Sequence, residues 1–102
     1  MTLEHQVAQK LHAASGAGSV RAHDLVDLQV AMGRGEVDYA KTKSVCVRLF
    51  EYRRQQPWPP VIVKGDGWDS TYTRQSRGLG VLPTIDEAVA WANDLIKAID
   101  NS

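Results

Sequence analysis

The chain alternates between stretches with apolar residues at helical spacing and short stretches rich in Gly, Ser or Pro. Residues 2–14 predict a first helix, because apolar residues recur every four positions from Leu3 to Leu11. Residues 22–32 predict a second helix on the same grounds. The Ser- and Gly-rich run at 15–19 predicts a loop between them, since glycine favours chain reversal and serine competes for backbone hydrogen bonds.

A third helix is predicted over residues 38–55. Its apolar stripe is formed by Val45, Leu49 and Tyr52 and is broadened by Cys46, Val47 and Phe50. Prolines at 57, 59 and 60 end it, because proline lacks an amide donor and disfavours helix in the residue before it. The segment 57–67 is predicted to be irregular, since its one β-branched run, 61–63, cannot build a sheet alone.

Two more helices follow. The first covers Trp68 to about Gln75, with Trp68 and Tyr72 one turn apart. The last starts at a capping box, in which Thr84 and Glu87 each satisfy a free amide of the first turn. Its apolar stripe comprises Ile85, Ala88, Val89, Ala92, Leu95, Ile96 and Ile99. The pattern as a whole predicts an all-α fold, a single domain over residues 1–102 with four to five helices and one irregular segment.

The amino-acid composition limits the kinds of function that the chain is expected to have. The 102 residues suit one domain with a modest core, and 12 basic residues balance 12 acidic ones, so nucleic-acid binding would need a local patch. A single cysteine, Cys46, excludes an internal disulfide, and its apolar neighbours predict a buried, inert thiol. With no visible secretory signal and no apolar run near the ~20 residues that span a bilayer, we expect a cytoplasmic protein without membrane contact.

The candidate chemistry lies at the first two helices. Lys10 falls off the apolar stripe of the first helix, which fits either a solvated lysine or a contact to phosphate. Asp24 and Asp27 are three positions apart and share a face near the start of the second helix. They either compensate the helix dipole or hold Lys10, orient a nucleotide or assist a metal shell.

Other residue groups carry weaker signals. His5, His12 and His23 lack the spacing of a metal site, so we predict no histidine-ligated metal. Aromatic side chains that fit the core better than a base-stacking surface are Trp58, Trp68, Tyr72 and Trp91. Arginines that form either a solvated helix face or a local basic patch are Arg48, Arg53, Arg54, Arg74 and Arg77.

The order of motifs resembles the C-terminal half of AbiEii/AbiGii-type nucleotidyltransferase toxins. A Ser/Gly-rich loop is flanked by the pattern Lys-Leu-His-Ala, within residues 9–13, and by the Arg-x-Arg-Asp-Leu-x-Asp-Leu-like pattern at 21–28. A long helix ending in aromatic and arginine residues at 48–54 follows, and then a proline break. A Trp-containing segment at 68–72 and an Asp-Glu-Ala-Val helix start at 86–89 complete the pattern.

The resemblance implies a relationship to polymerase β-like nucleotidyltransferases, which transfer a nucleotide from a Mg²⁺-bound triphosphate to a target such as tRNA. It implies that Lys10 contacts the nucleotide and that Asp24 or Asp27 is the family's later aspartate. The chain departs from the family because it has no Gly-Ser loop with a downstream Asp-x-Asp, and because His23 replaces the second arginine. We therefore expect a C-terminal fragment that is not catalytic alone and needs no cofactor of its own.

The resemblance also predicts partners for the chain. The resemblance implies a separately encoded N-terminal half or an antitoxin, with tRNA as a partner by resemblance only. An alternative of another class is a non-catalytic interaction module, which binds an antitoxin-like protein or itself through an apolar face left by the missing half. A third is an RNA-binding helper that uses the arginines.

Overall fold

The computed structural model describes residues 2–16 and 21–102 of the chain. These residues contain five α-helices. Their bounds are α1 Leu3–Ala14, α2 His23–Met32, α3 Tyr39–Arg53, α4 Trp68–Ser76 and α5 Ile85–Asp100. No strand occurs within these described ranges, so the all-α prediction is confirmed. Residues 17–19 of the predicted 15–19 loop lie outside the described residues.

The first helix is fixed to the start of the third. The Thr2 hydroxyl caps α1 by accepting a hydrogen bond from the His5 amide (3.2 Å). In the first turn of α1, the buried Glu4 carboxylate accepts from the Asp38 amide (3.1 Å), and Asp38 in turn caps α3. The Asp38 amide, more than any other group, holds the pKa of Glu4 below its ordinary value. Glu4 therefore ties the start of α3 to the first turn of α1.

The buried face of α3 differs from the predicted stripe. Thr42, Cys46 and Phe50, at four-residue spacing, face the core. Of the other predicted positions, Val45 and Leu49 are only half-buried, and Val47 and Tyr52 are 40% and 86% exposed. The helix ends where Arg54 takes a left-handed conformation (φ 53°), just before the prolines. Burial of Cys46 is confirmed, and it raises the pKa of the thiol to about 12.

The segment between α3 and α4 is irregular, as predicted, and one side chain of α5 anchors it. Asn93 accepts a hydrogen bond from the Ile62 amide (2.8 Å) and donates one to the Ile62 carbonyl (3.0 Å). Ile62 is thereby buried, whereas Val61 and Val63 on either side are exposed. An amide side chain thus supplies the pairing that a neighbouring strand would otherwise give.

The fourth helix completes the core with Trp68 and Tyr72, both buried as predicted. The Tyr72 hydroxyl donates to the Leu82 carbonyl (2.7 Å) and accepts from Gln29 Nε2 of α2 (2.9 Å). Gln29 Oε1 also accepts from the Leu82 amide (2.9 Å). This closed set of bonds joins α2, α4 and the approach to α5.

The last helix begins at the predicted Thr84 cap, but the Glu87 carboxylate bonds the Thr84 hydroxyl and not the backbone amide that a capping box would have it accept from. The Thr84 hydroxyl accepts from the Glu87 amide (3.2 Å) and also contacts the Glu87 carboxylate (3.0 Å). Six residues of the predicted helix are buried: Ile85, Ala88, Ala92, Leu95, Ile96 and Ile99. In the described ranges, no helix combines the length and apolarity needed to cross a bilayer.

Candidate polar site between the first two helices

Lys10 of α1 meets both candidate carboxylates of α2. Its ammonium lies 3.2 Å from Asp24 Oδ1 and 3.0 Å from Asp27 Oδ2. The partners are 14 and 17 positions away in sequence, so only the packing of α1 against α2 brings them together. The three site residues predicted from the sequence therefore form one cluster.

Asp24 is the centre of this cluster, and its side chain has no exposed surface. Besides Lys10, it accepts from Arg21 Nε at 2.6 Å, and His23 Nε2 lies 3.6 Å away. A buried carboxylate is stable only when it is paired and hydrogen-bonded. Its place in the first turn of α2 adds the favourable field of the helix N-terminus.

Lys10 remains a cation at this site. Burial by itself lowers the pKa of Lys10, but the hydrogen bonds and charges of Asp27 and Asp24 outweigh it and raise the pKa above the ordinary value. The side chain is 33% exposed, and the Asp27 side chain is 47% exposed. The pair thus lies at the mouth of the cluster, with Asp24 beneath it.

The donor set of the cluster does not fit a metal ion. One ligand atom from each of His23, Asp24 and Asp27 lies within 4.8 Å of the others. The Lys10 ammonium, however, is already hydrogen-bonded to both carboxylates. A divalent cation would have to displace this like-charged group, so we derive no metal-dependent step from these residues.

A cavity of about 240 Å³ opens beside the cluster. It is lined by Gln9, Lys10, His12, Ala13, Arg21, Asp24, Leu49 and Arg53. Arg53, at the end of α3, has no carboxylate partner within the described ranges. Lys10, Arg21 and Arg53 therefore outnumber the two carboxylates by one charge, which favours an anionic ligand.

His12 forms part of the cavity wall. Its ring packs edge-on against Phe50 with centroids 4.9 Å apart. Its Nε2 is buried and has no hydrogen-bond partner among the residues that the structure describes. Burial, and then the charge of Arg53, hold the pKa of His12 below its ordinary value. His5 lies elsewhere, bonded to Thr2, so the histidines form no joint ligand set.

Sequence reasoning identified part of this site. Helix position and resemblance single out Lys10, Asp24 and Asp27, whereas the sequence places Arg53 only in a group of arginines on a solvated helix face or basic patch. No local pattern indicates that Arg53 reaches the cavity, because that depends on how α3 crosses α1. No protein-family model matches the chain, and no curated protein matches it.

Proposed function

We propose that this chain is the helical, C-terminal part of a nucleotidyltransferase-like protein of the AbiEii/AbiGii type. One observation carries the proposal. Lys10 and the Asp24–Asp27 pair come from two separate motifs of the resemblance, and they form direct ion pairs across α1 and α2. Motifs that serve one ligand are expected to meet in this way.

In the proposed role, Lys10 contacts a phosphate of a nucleoside triphosphate. An ammonium has three N–H donors, of which Asp24 and Asp27 take two. The third is left for a ligand in the cavity, where Arg21 and Arg53 add positive charge. Asp24 and Asp27 then act as positioning residues that fix the direction of the lysine.

The proposed domain does not transfer a nucleotide alone. In-line transfer depends on divalent ions that stabilise the attacking and leaving oxygens, and the resemblance assigns those ligands to an N-terminal half. We propose that a separately encoded N-terminal half completes the site and brings the Mg²⁺-bound donor. A tRNA-type acceptor and an antitoxin follow from the resemblance alone.

Titration with ATP, CTP and GTP, followed by amide chemical shifts in NMR, tests the phosphate contact. We expect weak binding, with Kd of about 1 mM or about 4 kcal/mol, because only half of a nucleotide site is present. The amides of Gln9 and Ala13, at the cavity wall, should shift. Lys10→Gln should weaken binding at least ~10-fold, which corresponds to about 1.4 kcal/mol.

Lys64→Gln is the matched control. Lys64 also bridges two carboxylates, Asp69 and Asp86, each at 3.3 Å, but it does not line the cavity. Its replacement should leave triphosphate binding unchanged. No shift at millimolar triphosphate, or equal binding by the Lys10 and Lys64 variants, would count against the proposal.

A further inference from the structure

The outer face of α3 carries an apolar stripe that the fold leaves partly open. Val45, Leu49 and Tyr52 follow the spacing i, i+4, i+7. Val45 and Leu49 touch the core from its edge, and Tyr52 projects into solvent. With His5, Gln9 and Arg48, these residues line a groove of about 530 Å³ between α1 and α3, which we call the α1–α3 groove.

Helix α3 carries an excess of positive charge, and one of its arginines, Arg48, lines this groove. Residues 39–54 hold five basic side chains and one acidic one, in a chain whose charges balance overall. Arg48, Arg53 and Arg54 have no carboxylate within 4.0 Å in the described part of the chain. The groove therefore combines an apolar floor with Arg48, a cation that has no carboxylate partner among the described residues.

We propose that the α1–α3 groove binds an acidic amphipathic helix of a protein partner. An apolar side chain of that helix would lie on Leu49 and against Tyr52, while its carboxylates would pair with Arg48. Helices that dock in grooves use apolar anchors at i, i+3, i+4 and i+7, the spacing that the stripe itself presents. Exposed tyrosine and arginine are also the residues that contribute most often to protein interfaces.

Two other occupants fit the groove less well. A second copy of this chain could offer acidic residues on α5, but the apolar stripe of that helix is buried and supplies no anchor. A single-stranded nucleic acid would use the arginines and stack on Tyr52, yet it would leave Val45 and Leu49 without an apolar partner. The apolar floor thus favours a protein segment.

The test is a selection from a random phage-displayed peptide library, with peptides about as long as the 15-residue α3. The Arg48→Glu/Tyr52→Ala double variant serves for counter-selection. We expect the enriched peptides to place Asp or Glu beside apolar residues at helical spacing and to bind with Kd of about 1–100 μM. Binding should weaken between about 50 and 300 mM salt, because exposed charges are screened.

Each single variant, Arg48→Glu and Tyr52→Ala, should weaken binding of the selected peptide at least ~10-fold, or about 1.4 kcal/mol. Both side chains are exposed, so the fold should be unaffected by circular dichroism. The matched controls are Arg74→Glu and Val63→Ala, which change an exposed arginine and an exposed apolar side chain outside the groove. They should bind the peptide as the wild type does.

Any of four results would overturn this proposal. The first two are enriched peptides without an acidic amphipathic pattern, and enriched peptides that bind the double variant equally well. The third is an oligouridine probe that binds more tightly than any peptide and depends on Arg48 and Tyr52, which would assign the groove to nucleic acid. The fourth is a dimer in light scattering that Tyr52→Ala dissociates, which would assign the groove to a second copy. Triphosphate binding depends on Lys10 instead, so failure here leaves the proposed function standing.

Discussion

Replacement of Lys10 by methionine should cost stability as well as any ligand contact. Asp24 is wholly buried, and Lys10 supplies one of its two close cationic partners, the other being Arg21. Methionine keeps most of the volume of the lysine stem but removes the ammonium. The variant therefore isolates the effect of leaving the buried Asp24 carboxylate with only one of its two close cationic partners.

The magnitude follows from burial. Breaking a fully buried ion pair costs about 3–5 kcal/mol, and an exposed pair is worth about 0–1 kcal/mol. Lys10 is one-third exposed and Arg21 still neutralises Asp24, so we expect a loss of about 2 kcal/mol. In a domain of this size, this corresponds to a fall in Tm of about 8–16 °C. Asp27→Asn, at the half-exposed carboxylate, should cost less than about 1 kcal/mol.

Urea unfolding followed by circular dichroism measures both losses, and the double variant Lys10→Met/Asp24→Asn measures their coupling. The two changes should be non-additive by about 1 kcal/mol or more, because each removes the same contact. A loss below about 0.5 kcal/mol for Lys10→Met, or strict additivity with Asp24→Asn, would refute the view that Lys10 compensates the buried charge.

The pH dependence gives a second readout of the same pair. The pKa of Lys10 is raised in the folded protein, so its contribution is complete below the ordinary value of 10.5 and is lost as pH rises through the folded value. The difference in unfolding free energy between wild type and Lys10→Met should therefore be constant near neutral pH and shrink above about 10.5. Other groups that titrate there are common to both proteins and cancel.

The remaining predictions concern the core. Tyr72→Phe should cost about 1 kcal/mol in urea unfolding, because it leaves the partly buried Leu82 carbonyl and Gln29 side-chain amide without their hydroxyl partner. Asn93→Ala should cost a similar amount and speed hydrogen exchange at the Ile62 amide; unchanged exchange would contradict the proposed anchor. Cys46 should react with a thiol reagent at mildly alkaline pH only after unfolding, since its pKa is about 12. The ring of His12 should titrate below 6.5 by NMR, so its stabilising contribution is present above 6.5 and lost as pH falls through the folded pKa.

The sequence by itself determined the helices of this protein. Helix starts at Thr84 and Asp38 and the break after Arg54 depend on capping groups, backbone conformation and proline, which act within a few residues. The sequence also marked Lys10 and the two aspartates, because their helix positions and motifs are local features. The all-α fold class follows from this local information.

Tertiary structure decided which faces are buried and what the polar residues do. Apolar residues cover more than one side of α3, so periodicity could not distinguish the Cys46–Phe50 face, which is buried, from the Leu49–Tyr52 face, which stays partly open. The burial of Asp24 and the presence of Arg53 in its cavity depend on helices that are distant in sequence. A residue's neighbours within one helix are fixed by the helical repeat, whereas contacts between helices depend on how all the apolar faces pack together.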